Sequence, residues 1–260
     1  MESDTIKFEM IGGVAKITLN RPNVFNSFNR EMAQTLQARL DYCATEKSVR
    51  AIYLTGEGKA FCAGQDLQEA TDPNGPGIER IVEEHYNPII FKLREIEKPI
   101  VCAVNGVAAG AGANIALACD ITVAKKSSAF IQAFSSIGLI PDSGGTFFLP
   151  RLVGMQKAAA LMMLADKVSA EEAESIGMIY KSIEDESFES EAMAIADKLS
   201  KRPTVGTGLT KRLLNETYQN DLAEQLNREG QEQVVAAASK DYKEGVRAFL
   251  EKRKPSFTGE

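Results

Sequence analysis

Two stretches of this sequence place small residues at the entrance to a helix, and a third sets Asp142 at the mouth of another. They are Phe61-Cys-Ala-Gly-Gln-Asp-Leu67, Asn105-Gly-Val-Ala-Ala-Gly-Ala-Gly-Ala113 and Ile140-Pro-Asp-Ser-Gly144. The first turn of a helix carries N–H groups without intrahelical partners, at the positive end of the helix dipole. Small side chains let a ligand approach those donors closely. Two such loops facing each other could clamp one carbonyl oxygen and hold it as an oxyanion. A carboxylate at Asp142, aimed at the same place, could then move a proton. Each stretch also has a plainer reading. A Gly/Ala run has no chemical specificity of its own and serves equally for close helix packing. Residues 61–67 could be an ordinary strand-to-helix turn. Asp142 could be the N-cap of a helix beginning near Gly144, since Asp is common there. If Asp142 is a base, the nearby helix start favours its ionised form.

Other chemistries fit less well. The glycine spacings match neither a P-loop nor a dinucleotide fingerprint, and no Gly-Lys-Ser/Thr is present. Asp142-Ser-Gly-Gly145 looks like the nucleophile segment of trypsin-like proteases, but a nucleophilic serine needs a histidine base. The single histidine, His85, lies in a helical stretch with no obvious orienting partner and reads as a surface or satisfied helix residue. Cys43, Cys62, Cys102 and Cys119 form no C-x-x-C pair and have no histidine nearby, so they read as buried free thiols of a reducing compartment. No metal site is expected. The formal net charge of −6 argues against nucleic acid as a partner. There is no leader of basic then apolar residues, and no apolar run approaches the ~20 residues that span a bilayer. A cytoplasmic protein with no membrane partner is therefore expected. Met155, Met162 and Met163 read as core, and Lys252-Arg-Lys254 as a solvated basic end.

The elements that must position these residues follow from periodicity and caps. At 260 residues the chain has room for one α/β domain with an appendage. Residues 5–10 and 14–20 form a hairpin around Gly12-Gly13. Asn29 caps a helix whose Met32, Leu36 and Leu40 share one face. Residues 51–55 are a buried strand, 59–65 a loop, and 71–77 a mobile surface loop rich in Pro and Gly. Residues 78–97 are helical, with Ile81, Ile89, Leu93 and Ile96 inward. Residues 99–104 are a strand, 113–119 a short apolar helix, and 121–124 and 129–132 further strands. This alternation suggests parallel crossover units. Ser169-Ala-Glu-Glu172 is a capping box. From residue 189 the chain is helical, broken at Arg202-Pro203 and ending in an amphipathic helix over 240–250. A boundary between α/β core and helical tail falls near 195–205.

Asn20-Arg-Pro22, Phe61-Cys-Ala-Gly-Gln-Asp-Leu67, Ala103-Val-Asn-Gly-Val-Ala-Ala-Gly-Ala-Gly112 and Gly138-Leu-Ile-Pro-Asp-Ser-Gly-Gly-Thr146 occur in this order. Together they resemble the crotonase (enoyl-CoA hydratase/isomerase) superfamily across essentially the whole chain. The resemblance implies an α/β fold with a repeated ββα spiral core and a C-terminal helical trimerisation region. The implied division is a catalytic, acyl-CoA-binding core over 1–200 and a helical region over 201–260. The substrate is implied to be an acyl-CoA thioester, so coenzyme A is part of the substrate and no separate cofactor is needed. The assembly is implied to be a homotrimer or dimer of trimers. By the same resemblance, the backbone N–H groups of Gln65 and Ala111 form the oxyanion hole. Val24, Ala63, Gln65, Asp66, Leu67 and Ala111 line the CoA path, and the Gln65 side chain is not decisive.

The hydratase branch carries two glutamates that hold the attacking water. Their positions here hold Asn114 and Phe134, which argues against efficient hydration. Asp142 stands where several isomerases of the family carry their acid/base. Residues 100–112, 138–142 and 241–250, with Phe257-Thr-Gly259, further resemble the ring-1,2-epoxyphenylacetyl-CoA isomerases of phenylacetate degradation. That branch forms oxepin-CoA and is associated with shifting a double bond in an unsaturated acyl-CoA. The alternatives are a linear-chain Δ3,Δ2-enoyl-CoA isomerase, an enoyl-CoA hydratase and an inactive acyl-CoA-binding protein.

Overall fold

The computed structural model describes residues 4–260. Its strands, in chain order, are β1 (Ile6–Ile11), β2 (Val14–Leu19), β3 (Ala51–Gly56), β4 (Ala60–Cys62), β5 (Ile100–Val104), β6 (Val107–Ala109), β7 (Ile121–Lys125), β8 (Ala129–Ile131), β9 (Lys167–Ser169) and β10 (Lys181–Ile183). They divide into a sheet of order β1-β2-β3-β5-β7-β10 and a smaller one of order β4-β6-β8-β9. The successive pairs β3/β4, β5/β6 and β7/β8 each give one strand to each sheet. Helical segments carry the chain back for the next pair, which makes the ββα spiral.

The α-helices are α1 (Arg30–Thr45), α2 (Leu67–Thr71), α3 (Gly77–Arg80), α4 (Asn87–Glu95), α5 (Ala111–Leu117), α6 (Gly145–Val153), α7 (Met155–Leu164), α8 (Ala170–Ser175), α9 (Phe188–Ser200), α10 (Thr204–Glu216), α11 (Leu222–Ala238) and α12 (Lys240–Leu250). β3 and β5 are buried at every residue, as parallel strands covered on both faces must be. One face of the large sheet packs in the main core with Leu36, Leu40 and Leu93. The other carries Tyr53, Val101 and Val123 against Phe188, Ala192 and Ala196 of α9.

Local signals are met at several elements. The β1–β2 pairing brings Ile11 opposite Val14, leaving Gly12-Gly13 as the turn, with Gly12 at φ 57°. Asn29 caps α1 by accepting from Met32 N at 3.0 Å. Ser169 caps α8 by accepting from Glu172 N at 3.1 Å, but the Glu172 carboxylate turns instead to Lys157 at 2.8 Å, so only half of a capping box forms.

Elsewhere the fold departs from the sequence reading. The segments 59–65 and 105–112 contain β4 and β6, three-residue strands too short to show a period. α5 begins at Ala111 rather than at residue 113. The helix over 78–97 is composite. A π-helical turn (Ile81–Tyr86) joins α3 to α4 just before Pro88, which has no N–H to continue an α ladder. His85 in that turn is wholly buried, not a surface residue, and among the described residues neither ring nitrogen has a hydrogen-bond partner. The methionine reading also fails: Met155 and Met163 are 72% and 75% exposed, and only Met162 packs against the core. All four cysteines are free and buried. Among the described residues no helix is long and apolar enough to cross a membrane.

Candidate active site

The two loops rich in small residues meet because β4 and β6 pair in parallel and the chain leaves both at the same end. Gly64 stands at φ 94°, and a Cβ there would lie 3.1 Å from Ala109 O and 3.5 Å from Ala111 N. A Cβ on Gly112 would lie 2.5 Å from the Cys62 carbonyl oxygen, so the second loop also needs glycine to close on the first. Neighbouring N–H groups are committed. Ala63 N donates to Phe25 O at 2.9 Å, Asp66 N to Phe28 O at 2.8 Å, and Gly110 N to Ile131 O at 2.9 Å. Among the described residues, no backbone carbonyl takes the N–H of Gln65 or of Ala111. Ala111 is the first residue of α5, where an N–H has no intrahelical acceptor.

Asp142 sits at a tight turn. Ser143 and Gly144 have φ of 52° and 73°, and Gly145 N donates to Asp142 O at 2.9 Å, the pattern of a type I′ turn. A left-handed serine costs roughly 1–2 kcal/mol, so the surroundings must enforce the turn. Asn114 of α5 does so. Its Nδ2 donates to Asp142 O at 2.8 Å, and its Oδ1 accepts from Gln132 Nε2 at 2.8 Å. Gly145 closes over this amide, for a Cβ would fall 2.3 Å from Asn114 Nδ2.

The Asp142 side chain is not a cap. The N-cap of α6 is Gly144, with no side-chain bond. The carboxylate accepts from Ser143 Oγ at 2.9 Å, and among the described residues no cation pairs with it. Burial pushes its pKa above the ordinary carboxylate value, outweighing the Ser143 hydrogen bond that pulls it down. The expectation that the helix start favours the ionised form is thus reversed, because desolvation is the larger effect.

The remaining positions sort by exposure and partners. Val24 ends a short 3₁₀ turn and is exposed, as are Phe25, Ala63 and Leu67. The Asp66 carboxylate is occupied. It pairs with Arg21 at 2.9 Å and accepts from Gln68 N at 3.0 Å, capping α2. The Gln65 side chain is not idle: its Oε1 accepts from Tyr86 Oη at 2.8 Å and its Nε2 donates to Glu69 Oε2 at 3.0 Å. Burial pushes the Tyr86 phenol well up, and the charges of Asp142, Glu69 and Asp66 add in the same direction. Loop and aspartate are joined through Asn114, three residues along α5 from Ala111. Asn114 and Phe134 are both buried, and neither supplies a carboxylate. The sequence reading missed Arg21, Glu69, Tyr86 and Gln132. The partners of Arg21, Tyr86 and Gln132 lie 45, 21 and 18 positions away, and Glu69, though only four positions from Gln65, sits in a helix of five residues too short to show a period. Only Asn114, a polar residue in an apolar helix, left a signal.

Comparison with known proteins was consistent across the chain. The family profile described as enoyl-CoA hydratase/isomerase matches residues 9–260. A 1,2-epoxyphenylacetyl-CoA isomerase of Escherichia coli K12 is 47% identical over 250 residues, 95% of each chain. A protein described as a probable enoyl-CoA hydratase of Rhodobacter capsulatus is 44% identical over 259 residues, the whole of both chains. Among solved structures, an enoyl-CoA hydratase from Bacillus anthracis superposes with a TM-score of 0.92 at 33% identity, covering 98% of this chain and 100% of the other.

Proposed function

The chain belongs to the enoyl-CoA hydratase/isomerase family, enzymes of the crotonase superfamily, and from that premise we propose that it is an acyl-CoA isomerase converting ring-1,2-epoxyphenylacetyl-CoA to oxepin-CoA. In this reading the thioester oxygen sits between the N–H groups of Gln65 and Ala111. Asp142 takes the proton from the carbon next to the carbonyl. The electron pair moves onto the oxygen as an enolate, where the two donors stabilise it. The carbon–carbon bond shared by the epoxide and the six-membered ring opens to give the seven-membered oxepin, Asp142 returns the proton to a ring carbon as the enolate electron pair moves back, and the product leaves as an intact thioester. The same proton transfers would shift a double bond in an unsaturated acyl-CoA. The net change is isomerisation, so neither a redox cofactor nor a metal is required. Val24, Ala63, Asp66 and Leu67 would flank the CoA moiety. The same proposal includes a homotrimer or dimer of trimers in the cytoplasm.

One observation carries the reading. Of the carboxylates around Tyr86, Asp66 and Glu69 are engaged in structural bonds, whereas among the described residues Asp142 accepts only from the neighbouring Ser143 hydroxyl and its own backbone N–H. A partly desolvated carboxylate whose backbone is tied by Asn114 to α5, the helix that Ala111 opens, suits proton transfer. With Asn114 and Phe134 nearby, no second carboxylate is provided to hold a water for hydration.

The test supplies ring-1,2-epoxyphenylacetyl-CoA and, separately, a linear 3-enoyl-CoA to wild type and Asp142→Asn, with products read by mass and absorbance. Epoxide turnover that falls about 10³-fold in Asp142→Asn, with binding retained, is the expected result. Turnover of only the linear ester would replace the substrate and keep the mechanism. Tight binding with no proton movement on either would leave an acyl-CoA-binding protein.

A further inference from the structure

The donor loop is held from behind by residues that no step above uses. Gly64, at φ 94°, gives the peptide that follows it a conformational freedom other residues lack. An isolated parallel bridge between Phe28 and Gln65 fixes the flanking groups: Phe28 N donates to Gly64 O at 2.7 Å, and Asp66 N to Phe28 O at 2.8 Å. The N–H of Gln65 takes no part in this bridge. The peptide is planar, so the Phe28 bond to Gly64 O points the Gln65 N–H roughly opposite that carbonyl; what the bond leaves open is a swing of the peptide about it, and the Gln65 side chain is the handle that restrains the swing.

That handle is gripped at both ends of the amide. Tyr86 Oη donates to Gln65 Oε1 at 2.8 Å, and Gln65 Nε2 donates to Glu69 Oε2 at 3.0 Å. Each grip is itself anchored. The other Glu69 oxygen accepts from Arg30 N, at the start of α1, at 2.9 Å. The Tyr86 ring is wholly buried and packs edge-on against Phe28, with centroids 5.9 Å apart. The π-helical turn explains how Tyr86 arrives there. Its i→i+5 bonding sets Tyr86 on the same inward face as Ile81. Gln37 of α1 steadies this turn by donating to the carbonyls of Glu84 at 2.8 Å and His85 at 3.2 Å. His85 fills the space behind Glu69, with Nδ1 4.0 Å from Glu69 Oε2, beyond hydrogen-bond reach.

We propose that Tyr86 and Glu69 are positioning residues of the reaction, acting through the Gln65 side chain to fix the direction of the Gln65 backbone N–H. The inference rests on the reading of that N–H as an oxyanion donor. A donor of this kind is worth most when it is aimed at the developing charge beforehand, and small misplacements are expensive in rate. The clamp therefore serves the transition state more than ground-state binding. It also gives the Gln65 side chain a purpose that a backbone donor alone would not need.

The test uses the full-length enzyme and three variants: Tyr86→Phe, which keeps the ring and removes one hydroxyl, Gln65→Met, which removes the amide, and Glu69→Gln. The probe is phenylacetyl-CoA labelled with ¹³C at the thioester carbonyl, read by difference infrared spectroscopy. Kinetics are measured on whichever CoA ester above the wild type accepts. Wild type should move the carbonyl band to lower frequency on binding. Tyr86→Phe and Gln65→Met should reduce that displacement and lower kcat about 10-fold, with KM within about twofold, and Glu69→Gln should do the same to a smaller extent because its amide oxygen can still accept; a folded Glu69→Gln with wild-type band and kcat would remove Glu69 from the clamp. Thermal melting checks that each variant is folded. If folded Tyr86→Phe and Gln65→Met keep the wild-type band and kcat, or change only KM, the clamp is structural and the inference is overturned. A wild-type band that does not move on binding would overturn the donor reading itself, a different signature from failure of the clamp.

Discussion

Asp142 carries its position and its charge state from different sources. The left-handed turn at Ser143-Gly144 and the Asn114 amide fix where the carboxylate stands. Burial fixes how willingly it ionises. A carboxylate whose folded pKa is raised binds its proton more tightly in the native state than in the unfolded chain. Its ionisation therefore weakens the fold. The penalty is fully present above the raised folded pKa and disappears below the ordinary carboxylate value of ~3.9. Asp142→Asn should melt above wild type at pH 8, and the gap should close as pH falls through that window. A melting difference that does not vary with pH would refute the burial argument. The base form is the ionised one, so kcat should rise with pH over a limb displaced above the ordinary carboxylate range. A residue kept at a cost to stability fits the general trade between activity and stability.

Among the elements, α10 ties the helical tail to the α/β core, and a buried cation makes the tie. Lys211 is nearly inaccessible, donates to Leu93 O at 2.6 Å near the end of α4, and pairs with Asp120 at 2.8 Å. Asp120 also binds Arg94 at 3.1 Å and accepts from Ile100 N at 2.9 Å, where β5 begins. Burial lowers the Lys211 pKa, and Asp120 opposes that shift. Asp120→Asn would leave the ammonium buried without its counter-charge, a loss of about 3 kcal/mol. Urea unfolding should show a lower midpoint at unchanged m-value. A midpoint equal to wild type would mean that the carbonyls alone satisfy Lys211. Arg94 and Asn215 add a second tie between α4 and α10 at 2.9 Å.

At the scale of the whole molecule, the tail exposes apolar side chains that a solitary chain has no reason to display. On α11 and α12, Leu222, Val234, Phe249 and Leu250 are each more than 70% exposed, and Phe249 reaches 82%. Exposed apolar clusters of this kind mark association surfaces. The proposed trimer or dimer of trimers would give a light-scattering mass three or six times the 28.3 kDa of one chain. Phe249→Asp should shift the population toward smaller species. A wild-type protein that scatters as a monomer would remove the trimer from the proposal.

The sequence by itself determined the parts of this protein that are local. Asn29, Ser169 and the Gly12-Gly13 turn declare themselves because caps and tight turns depend on residues only a few positions apart. The buried run of β3 and the inward faces of α1 and α4 are legible because burial imposes a period. The order of the motifs was enough to indicate a crotonase fold, which the comparisons bear out. Tertiary structure alone decided the rest. β4 and β6 are three residues long and exist only because neighbouring turns of the spiral pair them. Tyr86 meets Gln65 across 21 positions and Asn114 meets Asp142 across 28, and no periodicity encodes either contact. The burial of His85 and the exposure of Met155 and Met163 follow from how the π-turn and α7 are set against the core, not from their own sequences. The charge state of Asp142 belongs to the same class: desolvation sums over every atom that excludes water, and those atoms come from the whole fold.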